Sequence, residues 1–260
     1  EFRRVLFRSV DMSTKFPGLH FGVQRSCIRT AAQAKALFEI ICQHELLRLD
    51  GIMGYEAQLA GLGDNVPGQF FKNQVIRILQ NMALSRVRAL RSAVVAAIGR
   101  EHLRFVNAGG TGSLETSSCE AVVTEVTAGS AFYAPALFDG YRHFRHLPAA
   151  GFALEITRQP EPDIYTCYGG GYVASGAAGK AKLPVPYLPE GAMLLANEGA
   201  GEVQTPFVYR GPQLLQIGDP IFFRHAKAGE LCEHFKALYL IQGGEVVDCV
   251  PTYRGDGVMI

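Results

Sequence analysis

The sequence has no run of lysine or arginine, and its 25 basic and 24 acidic residues leave a formal net charge of only +1. So balanced a charge gives little attraction for nucleic acid or for acidic membrane surfaces. The apolar stretches, such as 93–98, are far shorter than the roughly 20 residues that cross a bilayer. No secretory signal pattern stands at the N-terminus. We therefore expect neither nucleic acid nor a membrane as a partner.

The cysteines lack any pattern as well. Six are scattered along the chain, with no pair at CxxC spacing and no disulfide-rich module around them. This usage is typical of a reducing compartment, so a cytoplasmic location is predicted. Internal repeats and low-complexity tracts are also missing. The 260 residues are 48% hydrophobic and 19% charged, as in a globular protein with one large domain or two modest ones.

The chain begins with EFRRVLFRS, which we interpret as adapter sequence fused to a gene fragment and leave out of the predicted fold. The natural chain is then expected to continue upstream.

Residues 10–141 alternate short apolar runs with helix-like stretches, a pattern of parallel strands joined by crossover helices. Strands are predicted at 47–55, 103–108 and 121–126. A helix is predicted at 31–44, with Thr30 as its N-cap and with an apolar face formed by Ala34, Leu37, Phe38 and Ile41. A second, longer helix is predicted at 69–99, and its apolar side carries Val75, Ile78, Leu79 and Met82.

Residues 142–260 differ in texture from the first half. Proline and glycine are frequent and helical periodicity fades. Short strands are predicted at 152–157, 164–168, 214–217, 221–224 and 238–241, which indicates a mostly β domain. The predicted fold class is therefore α/β, with a β domain following an α/β domain.

A glycine-rich segment, VNAGGTGS at 106–113, directly follows a predicted strand. Its backbone N–H groups are unshielded by side chains, as binding of a phosphate requires. It matches neither a Walker A loop nor GxGxxG. A second turn, TAGS at 127–130, ends the next strand, and two such neighbouring turns are typical of the phosphate site of a (β/α) barrel. The alternative is that both are ordinary tight turns.

Three other places offer chemistry, each with a plainer alternative. Tyr55 would stack on a planar cofactor ring, or would be a tyrosine at the edge of the core. Arg25 would hold a ring substituent or a carboxylate, or would be a surface arginine. A cluster in 222–235 suggests zinc, although its spacing is that of no standard finger and part of it fits the outer face of a short helix: His225, Lys227, Glu230, Cys232 and His234.

Taken together, these segments resemble the bacterial amino acid deaminase/aldolase family, relatives of D-threonine aldolase and D-serine dehydratase with an alanine-racemase-type barrel. The resemblance runs from about Val10 to the C-terminus. It rests on FGVQRS, GIMGYEAQLAGLGD, VNAGGTGS, EVTAGSAFYAPALFDGY, EGAGEVQTP, FRHAKAGE and PTYRG. It implies a fold-type III enzyme with a partial pyridoxal phosphate (PLP) barrel at 10–141, a β domain of D-serine dehydratase-like type at 142–260, and a homodimer.

The resemblance also implies roles for particular residues. Tyr55 would lie near the cofactor ring and Arg25 near the ring substituents. The cofactor phosphate would be held by Gly110, Thr111, Gly112, Gly129 and Ser130. The lysine that forms the Schiff base with PLP in the family lies upstream of this chain. None of the seven lysines here matches it, so the fragment itself is expected to be largely inactive.

A second departure from the family concerns the metal. In metal-dependent relatives a histidine and, two residues later, a cysteine or aspartate bind a divalent cation. The matching pair here is His225 and Lys227, and a protonated ammonium is no ligand. Either Lys227 takes over the electrostatic role of the cation, which we prefer, or His225 binds a metal together with Cys232 or Glu230.

The implied activity is a PLP-dependent lyase acting on β-hydroxy D-amino acids. Retro-aldol cleavage would give glycine and an aldehyde, whereas dehydration would give ammonia and a keto acid. His225 would be the general base or acid at the substrate hydroxyl, and Lys227 would stabilise charge on that oxygen. The alternatives are an amino acid racemase of the same fold and a non-catalytic PLP-binding protein.

Overall fold

The computed structural model describes residues 4–176 and 179–258, with side chains from Ser9 onward. Residues 1–3 of the predicted adapter segment lie outside the described residues. The chain forms two compact units. The first contains the residues up to Gly129 together with Gly140–Arg145, and the second contains Ser130–Asp139 and the residues from His146 onward. The boundary predicted between 141 and 142 falls inside Gly140–Arg145.

A sheet of four parallel strands forms the centre of the first unit. Its order along the sheet is β1-β4-β5-β6, and two longer helices connect successive strands. A short hairpin, β2–β3, follows β1. The α/β organisation predicted for this half is confirmed. The elements are β1 (Arg4–Ser9), β2 (Thr14–Phe16), β3 (Leu19–Phe21), α1 (Ala31–Cys42), β4 (Leu47–Gly54), α2 (Ala57–Ala60), α3 (Phe70–Ile98), β5 (Phe105–Ala108), α4 (Leu114–Ser118) and β6 (Glu125–Val126).

The segment left out of the predicted fold supplies the first strand of this sheet. Strand β1 pairs in parallel with β4, from Arg4 opposite Leu47 to Ser9 opposite Met53. The exclusion of this segment from the fold was therefore wrong. Its interpretation as adapter sequence concerns its origin and stays a prediction.

Helix α1 forms as its sequence predicts. The Thr30 side chain accepts a hydrogen bond from the Gln33 N–H at 3.2 Å, which satisfies one of the unpaired donors of the first turn. Ala34 and Ile41 are buried, and Leu37 and Phe38 pack against the same core. The predicted apolar face is the one that faces the sheet.

Helix α3 is also present as predicted, but its exposed and buried faces are not those that its apolar pattern suggests. Val75, Ile78 and Met82 are 55%, 60% and 47% exposed, whereas Leu79 of the predicted face packs against a core cluster. The buried face carries two polar residues, Asn73 and Arg91, as well as aliphatic ones. Asn73 is compatible with burial because its side chain bonds both the N–H and the carbonyl of Val66. Within the described residues, no helix is long and apolar enough to cross a membrane.

The second unit is built on a six-stranded antiparallel sheet, in the order β10-β11-β8-β7-β12-β9. A separate two-stranded hairpin, β13–β14, and a short helix complete it. Phe152, Ile156, Phe207 and Ile221 are among its buried core residues. The elements are β7 (Phe152–Glu161), β8 (Ile164–Tyr168), β9 (Val185–Leu188), β10 (Met193–Leu194), β11 (Gln204–Val208), β12 (Pro220–Arg224), α5 (Ala228–His234), β13 (Ala237–Gln242) and β14 (Glu245–Pro251).

Two predicted strands need correction. Residues 214–217 are not a strand: they run without regular structure into a turn at 217–218, where the Gln216 N–H bonds the Asp219 carboxylate at 2.8 Å and Gly218 has a φ of 98°. The strand predicted at 121–126 shrinks to β6 because a turn closes first, with the Val123 N–H donating to the Glu120 carbonyl at 3.0 Å. The other strands predicted in the second half are present.

Candidate functional site

The glycine-rich segment lies at the carboxyl end of β5, as the sequence predicts. Gly109 has a φ of 83°, a conformation that residues with a side chain rarely adopt. A 3₁₀ turn at Thr111–Ser113 follows and leads into α4. The N–H groups of Thr111 and Gly112 begin this turn, so they have no acceptor within it. The loop therefore contains two backbone donors with no acceptor in the turn, both on residues that are themselves buried.

Two of the loop glycines are also required by close packing. A Cβ on Gly110 would lie 2.8 Å from the Ala60 Cβ and 2.9 Å from Cε2 of Tyr55. A Cβ on Gly112 would overlap the Tyr141 ring and would lie 2.6 Å from the Ala60 carbonyl oxygen. The glycines thus serve the tight turn and the approach of two tyrosines, in addition to any ligand.

A buried carboxylate, Glu56, lies beneath this loop. Its Oε1 accepts hydrogen bonds from the hydroxyls of Ser113 and Ser117, both at 2.6 Å. Its Oε2 accepts from the Gly109 N–H at 3.4 Å and from the guanidinium of Arg91 at 2.6 Å. Glu56 is only 1% exposed. One side chain at the end of β4 therefore binds three positions of the next strand's loop and helix.

Arg91 of α3 is the partner that makes this burial possible. Its side chain is fully buried and contacts the carboxylates of both Glu56 and Glu120. The guanidinium also donates to the Gly54 carbonyl at 2.8 Å. Arg88, one turn earlier, approaches Glu120 at 3.7 Å. Two carboxylates and two guanidinium groups therefore form a balanced ionic network below the loop.

The structure places Tyr55 against the same loop, within the electrostatic influence of Arg25. The Tyr55 ring lies against Gly110. Burial raises the pKa of Tyr55, and the positive charge of Arg25 opposes that rise. Tyr141 lies on the other side of the loop, where its hydroxyl donates to the Leu59 carbonyl at 3.3 Å and burial raises its pKa further. Sequence reasoning did not select Tyr141, although its segment belongs to a recognised motif.

The second predicted turn is less informative. A Cβ on Gly129 would meet no atom within 4 Å, so the space over this residue is open. Gly129 ends the main segment of the first unit, and Ser130 begins the short segment that belongs to the second. The Ser130 carbonyl accepts from the N–H groups of Tyr133 and Ala134. A phosphate role for this pair stays a prediction.

In the second unit, His225 follows β12 and is completely buried. Neither ring nitrogen has a hydrogen-bond partner among the described residues, which is unusual for a buried polar group. Burial, aided by the charge of Arg224, lowers the pKa of His225 to about 4. The Tyr133 ring lies edge-on to it, with centroids 6.1 Å apart. His225 is therefore a buried neutral imidazole whose ring nitrogens have no hydrogen-bond partner among the described residues.

The remaining members of the predicted cluster lie on or beside α5. Lys227 donates from Nζ to the Ser175 carbonyl at 2.9 Å. Glu230 is buried and not on an outer face; its Oε1 accepts from the Ala226 N–H at 2.5 Å, and burial raises its pKa. The Nδ1 of His234 lies 2.7 Å from the Glu230 carbonyl. Within the ranges the structure describes, no three His, Cys, Asp or Glu side chains group as a metal site.

The fold that these two units follow is that of the fold-type III class, which includes D-threonine aldolase and alanine racemase. The D-threonine aldolase from Filomicrobium marinum superposes with a TM-score of 0.74 at 18% identity, covering 91% of this chain and 61% of that one. The D-threo-3-hydroxyaspartate dehydratase from a Delftia species has a TM-score of 0.64 at 16% identity, covering 95% and 65%. An alanine racemase from Clostridium difficile has a TM-score of 0.53 at 12% identity, covering 96% and 66%.

These structural similarities establish the fold. They confirm the fold that the resemblance in the sequence motifs implies. The chain spans between 61% and 66% of the length of the three structures. The sequence matches no protein-family model and no curated protein.

Proposed function

We propose that this chain is part of a PLP-dependent lyase that acts on β-hydroxy D-amino acids. The observation that carries the proposal is the Gly109–Ser113 loop, which offers backbone donors at the carboxyl end of a parallel strand in a fold shared with D-threonine aldolase. The second lyase neighbour acts on a β-hydroxy D-amino acid by its name. Both neighbours support a substrate with an amino group and a hydroxyl on adjacent carbons.

The residues of the first unit fit PLP. The N–H groups of Thr111 and Gly112 are suited to the phosphate, since such donors bind anions without a charged side chain. The ring of Tyr55 lies against the same loop, within the electrostatic influence of Arg25. An aromatic surface, a cation and backbone amides at the start of a turn are the groups that a phosphorylated pyridine needs. When bound, PLP supplies an electron sink for charge that develops on the substrate.

His225 is proposed to exchange the proton of the substrate hydroxyl. Burial lowers its pKa to about 4, which keeps the imidazole neutral near pH 7 but also makes it a weaker base and its conjugate acid a stronger donor. The protonated imidazole would be a strong proton donor, as the departure of hydroxide from the substrate requires. Lys227 is proposed to stabilise negative charge on that oxygen with its ammonium group.

Both ring nitrogens of His225 and the Oε2 of Glu230 are buried without a hydrogen-bond partner among the described residues, so a cation held by His225 with Glu230 or Cys232 stays an alternative to the ammonium of Lys227. The described residues hold no cluster of three ligands, and Glu230, the nearest carboxylate in sequence, directs one oxygen to the Ala226 N–H. No step of the proposed reaction is therefore assigned to a metal.

A racemase is the second candidate, because an alanine racemase shares the fold. A non-catalytic PLP carrier is less favoured, since the second unit would then have no role. The homodimer and the cytoplasmic location remain proposals that follow from the resemblance.

The test is a product assay with the whole protein to which this chain belongs, loaded with PLP. D-Threonine and D-threo-3-hydroxyaspartate would be supplied, and glycine, ammonia and inversion of D-alanine would be measured separately. Glycine or ammonia release would support the lyase and select its branch. D-Alanine inversion without either product would overturn it in favour of the racemase.

The role of His225 can be tested in the same assay. Replacement by asparagine should lower kcat about 100-fold or more, the usual contribution of general acid–base catalysis. His44→Asn, at an exposed position after α1, is the matched control and should leave kcat unchanged. Equal rates for the two variants would remove His225 from the mechanism.

A further inference from the structure

Glu56 is a buried carboxylate that the proposed reaction does not use. It lies at the carboxyl end of β4, and the groups that contact it come from the Gly109–Ser113 loop, from α4 and from Arg91. We infer that Glu56, held by Arg91, is the positioning residue of this loop, and that it sets the orientation in which the N–H groups of Thr111 and Gly112 bind an anion. This inference rests on the proposed function.

The hydrogen bonds show how a single carboxylate can fix the loop. Gly109 precedes the proposed donors of Thr111 and Gly112, Ser113 follows them directly, and Ser117 lies one turn further along, in α4. Glu56 bonds all three positions, with both hydroxyl contacts at 2.6 Å. The backbone between these anchors has little freedom to turn, so its donors keep one direction. Preorganised donors bind a ligand more tightly because less ordering is needed on binding.

The Ser113 hydroxyl determines which backbone N–H groups of the loop remain to bind the ligand. Its Oγ accepts a hydrogen bond from the Gly110 N–H at 3.2 Å while donating to Glu56. The Gly110 amide is thus used inside the loop. The donors that face an anion are then those of Thr111 and Gly112, with Gly110 required for its close contact with Tyr55.

The charge of Glu56 would by itself repel a phosphate. Arg91 contacts Glu56 and Glu120, and Arg88 contacts Glu120 from the surface side. The two arginines offset both carboxylates, and Arg91 lies within a buried environment where such compensation is strong. The network therefore orders the loop without presenting net negative charge to the ligand.

The experiment titrates the 260-residue chain with inorganic phosphate and follows its backbone amides by ¹⁵N NMR. Ser117→Ala removes one hydroxyl from Glu56, Glu56→Gln removes the charge, and Ser118→Ala is the matched control. Ser118 lies next to Ser117 in α4, but its exposed hydroxyl donates to the Glu115 carbonyl. Ser117→Ala is the milder change, so it keeps the test valid should Glu56→Gln fail to fold.

We expect phosphate to shift the amides of Thr111 and Gly112 in the wild type. Ser117→Ala should raise the phosphate dissociation constant about tenfold, as loss of a hydrogen bond to a charged group does, while Ser118→Ala should not. Equal dissociation constants for Ser117→Ala and Ser118→Ala would overturn the inference and leave the proposed function standing. Failure of phosphate to shift the loop amides of the wild type would overturn the proposed phosphate site itself, and the inference with it.

Discussion

Replacing Arg91 by methionine is the perturbation whose effect on stability follows most directly from the structure. Methionine keeps much of the length of the side chain but leaves the carboxylates of Glu56 and Glu120 without their shared cation. Removing one partner from a buried ion pair costs about 3–5 kcal/mol because the remaining charge is uncompensated. We expect the free energy of unfolding of the first unit to fall by that amount.

The assay must resolve the first unit from the second. The chain has no tryptophan, so urea unfolding is best followed by circular dichroism, together with amide hydrogen exchange of α3 peptides. Arg88→Met is the control, since Arg88 is 44% exposed and its contact with Glu120 should contribute less than about 1 kcal/mol. Adding Glu56→Gln and Glu120→Gln to Arg91→Met should restore part of the loss. Equal stability of the Arg91→Met and Arg88→Met variants would refute the reasoning.

Three further predictions concern other parts of the chain. Gly112→Ala should destabilise by about 1–3 kcal/mol because its Cβ overlaps the Tyr141 ring, whereas Gly129→Ala should be neutral in the same thermal melt. Because burial lowers the pKa of His225 from 6.5 to about 4, the unfolded chain binds a proton that the folded chain does not, so stability should fall as pH drops through that range. His225→Phe should remove this part of the pH dependence, and an unchanged profile would contradict the assignment. Thr30→Ala should cost about 1 kcal/mol and speed hydrogen exchange at the start of α1.

The sequence was sufficient where local chemistry decides the structure. Thr30 predicts the start of α1 because its hydroxyl caps the first turn whatever the rest of the fold does. The glycines at 109–112 predict a tight turn after β5 for a similar reason. The motifs around them also led to the fold that the structure shares with D-threonine aldolase.

Prediction failed where distant residues decide. The apolar residues Val75, Ile78, Leu79 and Met82 indicate a buried face of α3, yet all of them except Leu79 are exposed. The buried face instead holds Arg91, whose partners Glu56 and Glu120 are 35 and 29 residues away in sequence. No local pattern reveals that an arginine in a helix will be neutralised by such distant carboxylates. A glutamate directly after a strand, followed by a serine-containing glycine loop after the next strand, is the signal that sequence reasoning could have used.

The second half shows the same limit for strands. Strand β8 is predicted to its bounds, whereas β9, β10 and β11 are not predicted from the sequence. Strand β11 contains Pro206, and β9 and β10 are short. Proline and short length lower the strand signal, while pairing with neighbours supplies the stability.

The most direct test of the central claim compares the binding of PLP and of pyridoxal, which lacks the phosphate, to the 260-residue chain by absorbance titration. If the Gly109–Ser113 loop holds the phosphate, PLP should bind at least about tenfold more tightly, since charge-assisted hydrogen bonds contribute about 1.5–3 kcal/mol. Equal dissociation constants for the two compounds would contradict the assignment of this loop as the cofactor phosphate site.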